Sequence, residues 1–175
     1  MYIKLNLSCV CAGLILLSAG VLMGETKDAG QVSIYNARIG KVELLPRVVK
    51  TRDEWKKILT PEQYRVTRQR GTEKPGSGSC SIPSQEGIYE CVGCGTDLFA
   101  AKTKFISGTG WPSFWQPVSE LNIKVFTDTS LGRHRVEVIC ARCGAHLGHV
   151  FDDGPPPTGK RYCINAVALK FRANK

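Results

Sequence analysis

The sequence predicts a mainly β domain of the α+β class, with helices confined to its N-terminal side. Three observations carry this. From Gly87 onward, short β-prone runs alternate in polarity and are separated by Gly and Pro breaks. Residues 51–70 hold the strong helix-start signals. Two C-x-x-C motifs stand far apart and can clip distant strands together. At 175 residues, 42% apolar and 22% charged, the chain suits one globular domain with extensions.

Residues 1–24 read as a targeting segment. Lys4 gives a small positive start, and residues 5–24 carry no charge. Ser18-Ala19-Gly20 offers small residues for cleavage, while the uncharged length also suits an uncleaved membrane anchor. Either reading places the folded part outside the cytosol. Residues 25–50 form a linker that can add an edge strand, because residues 31–49 are rich in β-branched and aromatic side chains. The main folded unit is residues 51–175.

Residues 53–59 suit a short helix with Trp55, Ile58 and Leu59 on one side. Thr60-Pro61-Glu62-Gln63 restarts it: Thr60 can cap, Pro61 fits the first helical position, and Gln63 completes a capping box. Gly71 is placed to end that helix. Cys80 follows in a Gly-Ser loop. Residues 88–91, 125–127 and 135–139 are strand candidates, and Asp152-Asp153-Gly154-Pro155-Pro156-Pro157 is a stiff loop. It delivers the chain to residues 161–171, one alternating run with Arg161, Cys163, Asn165, Val167, Leu169 and Phe171 on one face.

The formal charge is +9 and the pI about 9.3, but Lys and Arg are scattered without a long run. The excess reads as a solvated surface, and no nucleic-acid partner is expected.

Eight cysteines divide into three groups. Cys9 and Cys11 belong to the targeting segment. Cys91-Val92-Gly93-Cys94 and Cys140-Ala141-Arg142-Cys143 are each followed by Gly, the pattern of two zinc knuckles supplying four thiolates to one structural Zn2+ per chain. Disulfides remain an alternative outside the cytosol, although no βαβ pattern gives either pair a thioredoxin-like frame. A set of Cys140, Cys143, His146 and His149 has too short a His spacing for a zinc finger. That leaves both histidines of His146-Leu147-Gly148-His149 for other work, while His134, between two arginines, reads as surface.

Cys163 is either a small buried hydrophobe or a reactive thiol. Arg161 beside it favours the thiolate, the two imidazoles can relay protons, and Asn165 can orient a partner. Gly108-Thr109-Gly110-Trp111-Pro112-Ser113-Phe114-Trp115 offers aromatic walls, of which one or two belong to the core. A nucleophilic thiol, proton donors and a small apolar cage suit a substrate polar at one atom and apolar around it, such as a sulfoxide.

These motifs, with Leu59-Thr60-Pro61-Glu62-Gln63-Tyr64, Ser107-Gly108-Thr109-Gly110-Trp111-Pro112-Ser113-Phe114, His146-Leu147-Gly148-His149-Val150-Phe151 and Arg161-Tyr162-Cys163-Ile164-Asn165, closely resemble the B-type methionine sulfoxide reductases. The resemblance runs from about residue 55 to residue 171. It implies a fold of two small antiparallel sheets with N-terminal helices and a structural zinc clip, and no organic cofactor. It implies that Cys163 attacks the sulfoxide sulfur of methionine (R)-sulfoxide and becomes a sulfenic acid. His146 and His149 then help bind and protonate the oxygen, Trp111 holds the methyl group, and Phe151 forms part of the apolar wall. Arg161, Asn165 and Asp153 are polar residues of the same pocket, and Cys91, Cys94, Cys140 and Cys143 are the zinc ligands. Some members carry a recycling cysteine where this chain has Thr109; others carry it in the loop that here holds Cys80. Cys80 is therefore expected to resolve Cys163 as a disulfide, reduced by a thioredoxin-like partner. Protein-bound methionine (R)-sulfoxide in oxidised proteins and the free form are the expected substrates, and the enzyme is expected to be a monomer. The competing readings are a zinc-clipped β module that binds a partner without catalysis, and a thiol-disulfide oxidoreductase using a C-x-x-C pair.

Overall fold

Two capping boxes start the two helices. Thr51 accepts from the backbone N–H of Glu54 while Glu54 accepts from that of Thr51, opening α1 (Arg52–Ile58). Thr60 and Gln63 do the same for α2 (Pro61–Gln69), with Pro61 in the first turn. Trp55, Leu59 and Val66 turn the apolar side of this pair into the core. The stop comes one residue earlier than expected. Arg70 takes the left-handed conformation (φ 56°), and Gly71 follows it, its N–H bonded to the Arg65 carbonyl. The computed structural model describes residues 30–78 and 85–174; residues 1–24, read as a targeting segment, and Cys80 lie outside them. No helix among the described residues is long and apolar enough to cross a membrane.

The rest is antiparallel β-structure. β1 (Gln31–Asn36) and β2 (Lys41–Pro46) pair with each other. Instead of an edge strand joined to a larger sheet, this region is a hairpin of its own. Fully buried Asn122 bolts it down, accepting from the Tyr35 N–H and donating to the Tyr35 and Asp97 carbonyls. β3 (Gly87–Cys91) lies between β4 (Asp97–Ala100) and β11 (Leu169–Ala173) in a three-stranded sheet. The six-stranded sheet runs β5 (Lys104–Phe105), β6 (Ser113–Phe114), β10 (Arg161–Ile164), β9 (His146–Phe151), β8 (Arg135–Cys140), β7 (Ile123–Asp128) in spatial order. The core between the elements is filled by Leu98, Phe99, Phe114, Val138, Leu147 and Ile164, with Phe99 and Phe114 stacked at 4.5 Å.

The single strand expected over residues 161–171 is broken. β10 ends at Ile164, a 3-10 turn spans Ala166–Ala168, and β11 leaves for the other sheet. Side chains cause the break. The Asn165 amide donates to the Leu147 carbonyl, and the Glu73 carboxylate accepts the N–H groups of Ala166 and Val167. Those N–H groups are the ones a continuing ladder would need.

Register in the large sheet builds the site. Cys163 pairs with Ser113 on one side and His149 on the other; His149 pairs with Glu137, and Glu137 with Phe126. Directly opposed residues share a face, so thiol, imidazole and carboxylate form one row. Arg161 and Phe151 are the next pair on that face. Gly148 allows the close approach of β9 to β10, since a Cβ there would lie 2.0 Å from the Cys163 carbonyl oxygen.

Candidate active site

Cys163 is half-buried and opens into a cleft of about 690 Å³ walled by Trp111, His149, Phe151 and Asn165, with Arg133 and exposed His134 also on its lining. The aromatic motif therefore divides as its two readings anticipated: Phe114 is core and Trp111 lines the cleft. The Thr109 hydroxyl stands 3.9 Å from the Cys163 sulfur.

Burial decides the state of the thiol. Desolvation pushes Cys163 above the ordinary value of 9.0, outweighing the Thr109 hydroxyl and the charge of Arg161, which pull the other way. Arg161 pulls toward the thiolate, as expected, and burial outweighs it. The Arg161 guanidinium is already engaged. It donates twice to Asp153 at 2.8 Å and lies 4.4 Å from the centre of the Phe151 ring. Asp153 has a mostly exposed side chain and serves as the partner of Arg161. A raised thiol pKa means less thiolate at any given pH. Peptide-resolved alkylation of Cys163 by iodoacetamide is therefore expected to rise with pH through a midpoint above 9.0. A midpoint below that value would contradict this ordering of causes.

The two histidines occupy different positions. His149 lines the thiol's cleft, and its Nε2 donates to Asp128 Oδ2 at 2.8 Å. Asp128 is held well below the usual carboxylate range, first by the Ser130 hydroxyl and then by His149, and it also accepts from Arg135. A carboxylate only accepts, so His149 Nε2 carries a proton and Nδ1 is the ring atom left for exchange. His146 is almost fully buried behind it, its ring centre 5.5 Å away. It lines a second cleft of about 600 Å³ that shares Thr72, Arg135 and His149 with the first. Burial lowers the His146 pKa against the opposing bond to Glu137. Neutral His146 donates Nδ1–H to Glu137 at 2.7 Å, leaving Nε2 a buried acceptor without a protein partner. A neutral imidazole there takes a proton before it can give one, so its part in a relay starts as a base.

Asn165, expected to orient a partner, is tied to the backbone: Oδ1 accepts from the Glu73 N–H and Nδ2 donates to the Leu147 carbonyl. Sequence reasoning missed Asp128, Glu137, Arg135 and Glu73. Glu137 had a faint signal, an acid inside a strand otherwise read by its valines. Asp128 and Glu73 had none, since loop-end and strap acids are common.

The four knuckle sulfurs converge. Cys91, Cys94, Cys140 and Cys143 place their sulfurs within 4.8 Å of one another. The Cys91–Cys143 and Cys94–Cys140 separations are 3.6 Å, near the edge of about 3.8 Å that a tetrahedron of ~2.3 Å Zn–S bonds has. Bonding among the sulfurs, largest from Cys140 or Cys143, pushes Cys91 and Cys140 up and draws Cys94 and Cys143 down. Gly95 and Gly144 follow the knuckles at φ 71° and 67°, where a side chain would be strained. The donor set fits zinc, and the four thiols are free rather than joined as disulfides.

Residues 59–173 match the model of the SelR domain. The chain is similar to the peptide methionine sulfoxide reductase MsrB of Methanosarcina barkeri, 56% identical over 128 residues, 73% of this chain and 90% of that protein. It is 54% identical over 128 residues to the protein of the same name from Pseudomonas putida, covering 73% of this chain and 98% of that one. It is 57% identical over 122 residues to the chloroplastic peptide methionine sulfoxide reductase B1 of Arabidopsis thaliana, 69% of this chain and 60% of that protein.

Proposed function

The chain belongs to the SelR-domain family of B-type methionine sulfoxide reductases, and from that premise we propose the course by which it reduces methionine (R)-sulfoxide to methionine. The observation that carries the proposal is the row Cys163–His149 facing a cleft walled by Trp111 and Phe151. The sulfoxide methyl rests against Trp111. Cys163 loses its proton as it attacks, and His149, its cross-strand partner on the same face, offers Nδ1 to take it. A sulfur–sulfur bond forms as the substrate S–O bond breaks, and that sulfur–sulfur bond then breaks as an S–O bond forms on Cys163, releasing methionine. Thiol plus sulfoxide gives sulfenic acid plus methionine: the substrate sulfur gains two electrons and Cys163 loses two. His146 and His149 supply protons to the oxygen once charged, each oriented by its carboxylate. Arg161 and Asp153 hold the cleft's edge, and Asn165 holds the end of β10.

Recycling follows by a second thiol attacking the sulfenic acid, releasing water and leaving a disulfide. Cys80 is the candidate within the chain, and a thioredoxin-like dithiol then reduces the disulfide. Zn2+ in the four-cysteine site supplies structure and no reaction step. Residues 1–24, read as a targeting segment, argue for an extracytoplasmic enzyme, anchored or released, that repairs oxidised exported proteins.

The test is stereochemical. With dithiothreitol as reductant, the pure chain is expected to convert the R-epimer of a methionine sulfoxide peptide and leave the S-epimer. Equal use of both epimers, or no use of the R-epimer, would overturn the proposal.

A further inference from the structure

Glu73 lies in the strap after α2, outside every motif that named the site. Its side chain is only 2% exposed, and all of its polar groups are engaged. The N–H donates to Asn165 Oδ1 at 3.0 Å, and the carbonyl accepts the Trp111 indole N–H at 3.3 Å. One carboxylate oxygen accepts the Ala166 N–H at 2.6 Å, the other the Val167 N–H at 2.9 Å. The same strap is stitched to the Trp111 loop a second time, by the Gly76 N–H to the Gly110 carbonyl at 2.7 Å. Gly110, at φ 90°, packs against Pro75 so closely that a Cβ would lie 2.9 Å from it.

One residue thus joins three parts of the site: the indole wall, the amide that closes β10, and the turn that ends the Cys163 strand. Glu73 itself is not among the residues lining either cleft. Its carboxylate anchors it to Ala166 and Val167 with two charge-assisted bonds, and its backbone carbonyl then fixes the indole relative to that anchor. We infer that Glu73 is a positioning residue, which sets Trp111 against the substrate methyl by holding the strap to the turn after Cys163. The reason an acid stands here is geometric. Two successive N–H groups at the start of a 3-10 turn need two acceptor oxygens from one side, which a carboxylate supplies and a carboxamide does not.

The inference rests on the proposed sulfoxide reduction only for its kinetic arm. Glu73→Gln replaces one acceptor oxygen by a donor facing a donor. It is expected to lower kcat/KM for methionine (R)-sulfoxide by about 10- to 100-fold, the range for a misplaced binding group. Most of the loss is expected in KM, with kcat within about threefold. Cys163 alkylation should stay within about twofold, because the thiol's own contacts are untouched. The structural arm labels the three tryptophans with 5-fluorotryptophan and identifies Trp111 by Trp111→Phe. Its 19F resonance is expected to shift in Glu73→Gln and to return toward the wild-type position in Glu73→Asp, which keeps both oxygens. A folded Glu73→Gln with wild-type KM, or with an unmoved Trp111 resonance, overturns the inference. So does an equal loss in kcat and alkylation rate, or failure of both variants to fold, each of which makes Glu73 a general structural residue. An inert wild type would instead sink the proposed reaction and leave the 19F arm to decide the placement of Trp111.

Discussion

Cys163→Ser is expected to lose R-sulfoxide reductase activity by roughly 10³-fold or more while keeping its fold. The sulfur is the atom that changes oxidation state in the proposed course, and a serine hydroxyl cannot accept the oxygen in this way. The fold should tolerate the change because the substitution keeps size and because the contact of the sulfur with the Thr109 hydroxyl, at 3.9 Å, is a weak one. The expected stability change is within about 1 kcal/mol. Among the described residues the other cysteines are the four converging knuckle thiols, so none stands on the cleft to replace it. Peptide assays with dithiothreitol, run beside a thermal melt, read both quantities. Full activity in Cys163→Ser would remove this residue from the reaction.

The second large effect concerns the four-cysteine site. The knuckle before β4 and the knuckle between β8 and β9 bring the three-stranded sheet against the six-stranded one. Bonds from a structural zinc are made only in the folded chain, so their free energy is folding free energy. Wild-type protein is expected to carry zinc at about one per chain. Cys94→Ser, or stripping by a strong chelator, is expected to lower the melting temperature by more than ~10 °C, since losing over ~4 kcal/mol shifts a domain of this size that far. Activity should fall with it, because β8 and β9 carry Glu137, His146 and His149. Metal analysis and a melt with and without chelator check this. Metal-free protein with an unchanged melt, or a disulfide within either knuckle, would contradict it.

What the sequence disclosed depended on how local the physics was. Both helices were readable because each capping box closes within four residues. The four-cysteine set was readable because spacing alone brings two thiols together, and glycine marks the turn. The row across the sheet was not. It depends on register between β10, β9, β8 and β7, set by strands remote in the chain. Alternation did put Arg161 and Cys163 on one face, but it ran on past Asn165, where tertiary bonds from Glu73 and to Leu147 stop the strand. The state of the Cys163 thiol was only partly legible for a related reason. An adjacent arginine is visible in sequence, whereas the burial that outweighs it, and the Asp153 that occupies that arginine, are not. Asp128 and Glu137 show the same limit: a histidine advertises a site, but the acid that fixes its tautomer arrives from another strand.

The central claim is that Cys163 takes the oxygen from the R-epimer, and a single turnover without reductant addresses it most directly. The chain, fully reduced and freed of thiol, is mixed with excess methionine (R)-sulfoxide, quenched, and analysed for methionine and by peptide mass spectrometry. The expected result is about one equivalent of methionine per chain, with Cys163 found either carrying one oxygen atom or joined to Cys80, and no methionine from the S-epimer. A sulfenic acid that never becomes a Cys80–Cys163 disulfide would remove Cys80 from recycling and leave the claim standing. No methionine, or oxidation confined to a different cysteine, would contradict it.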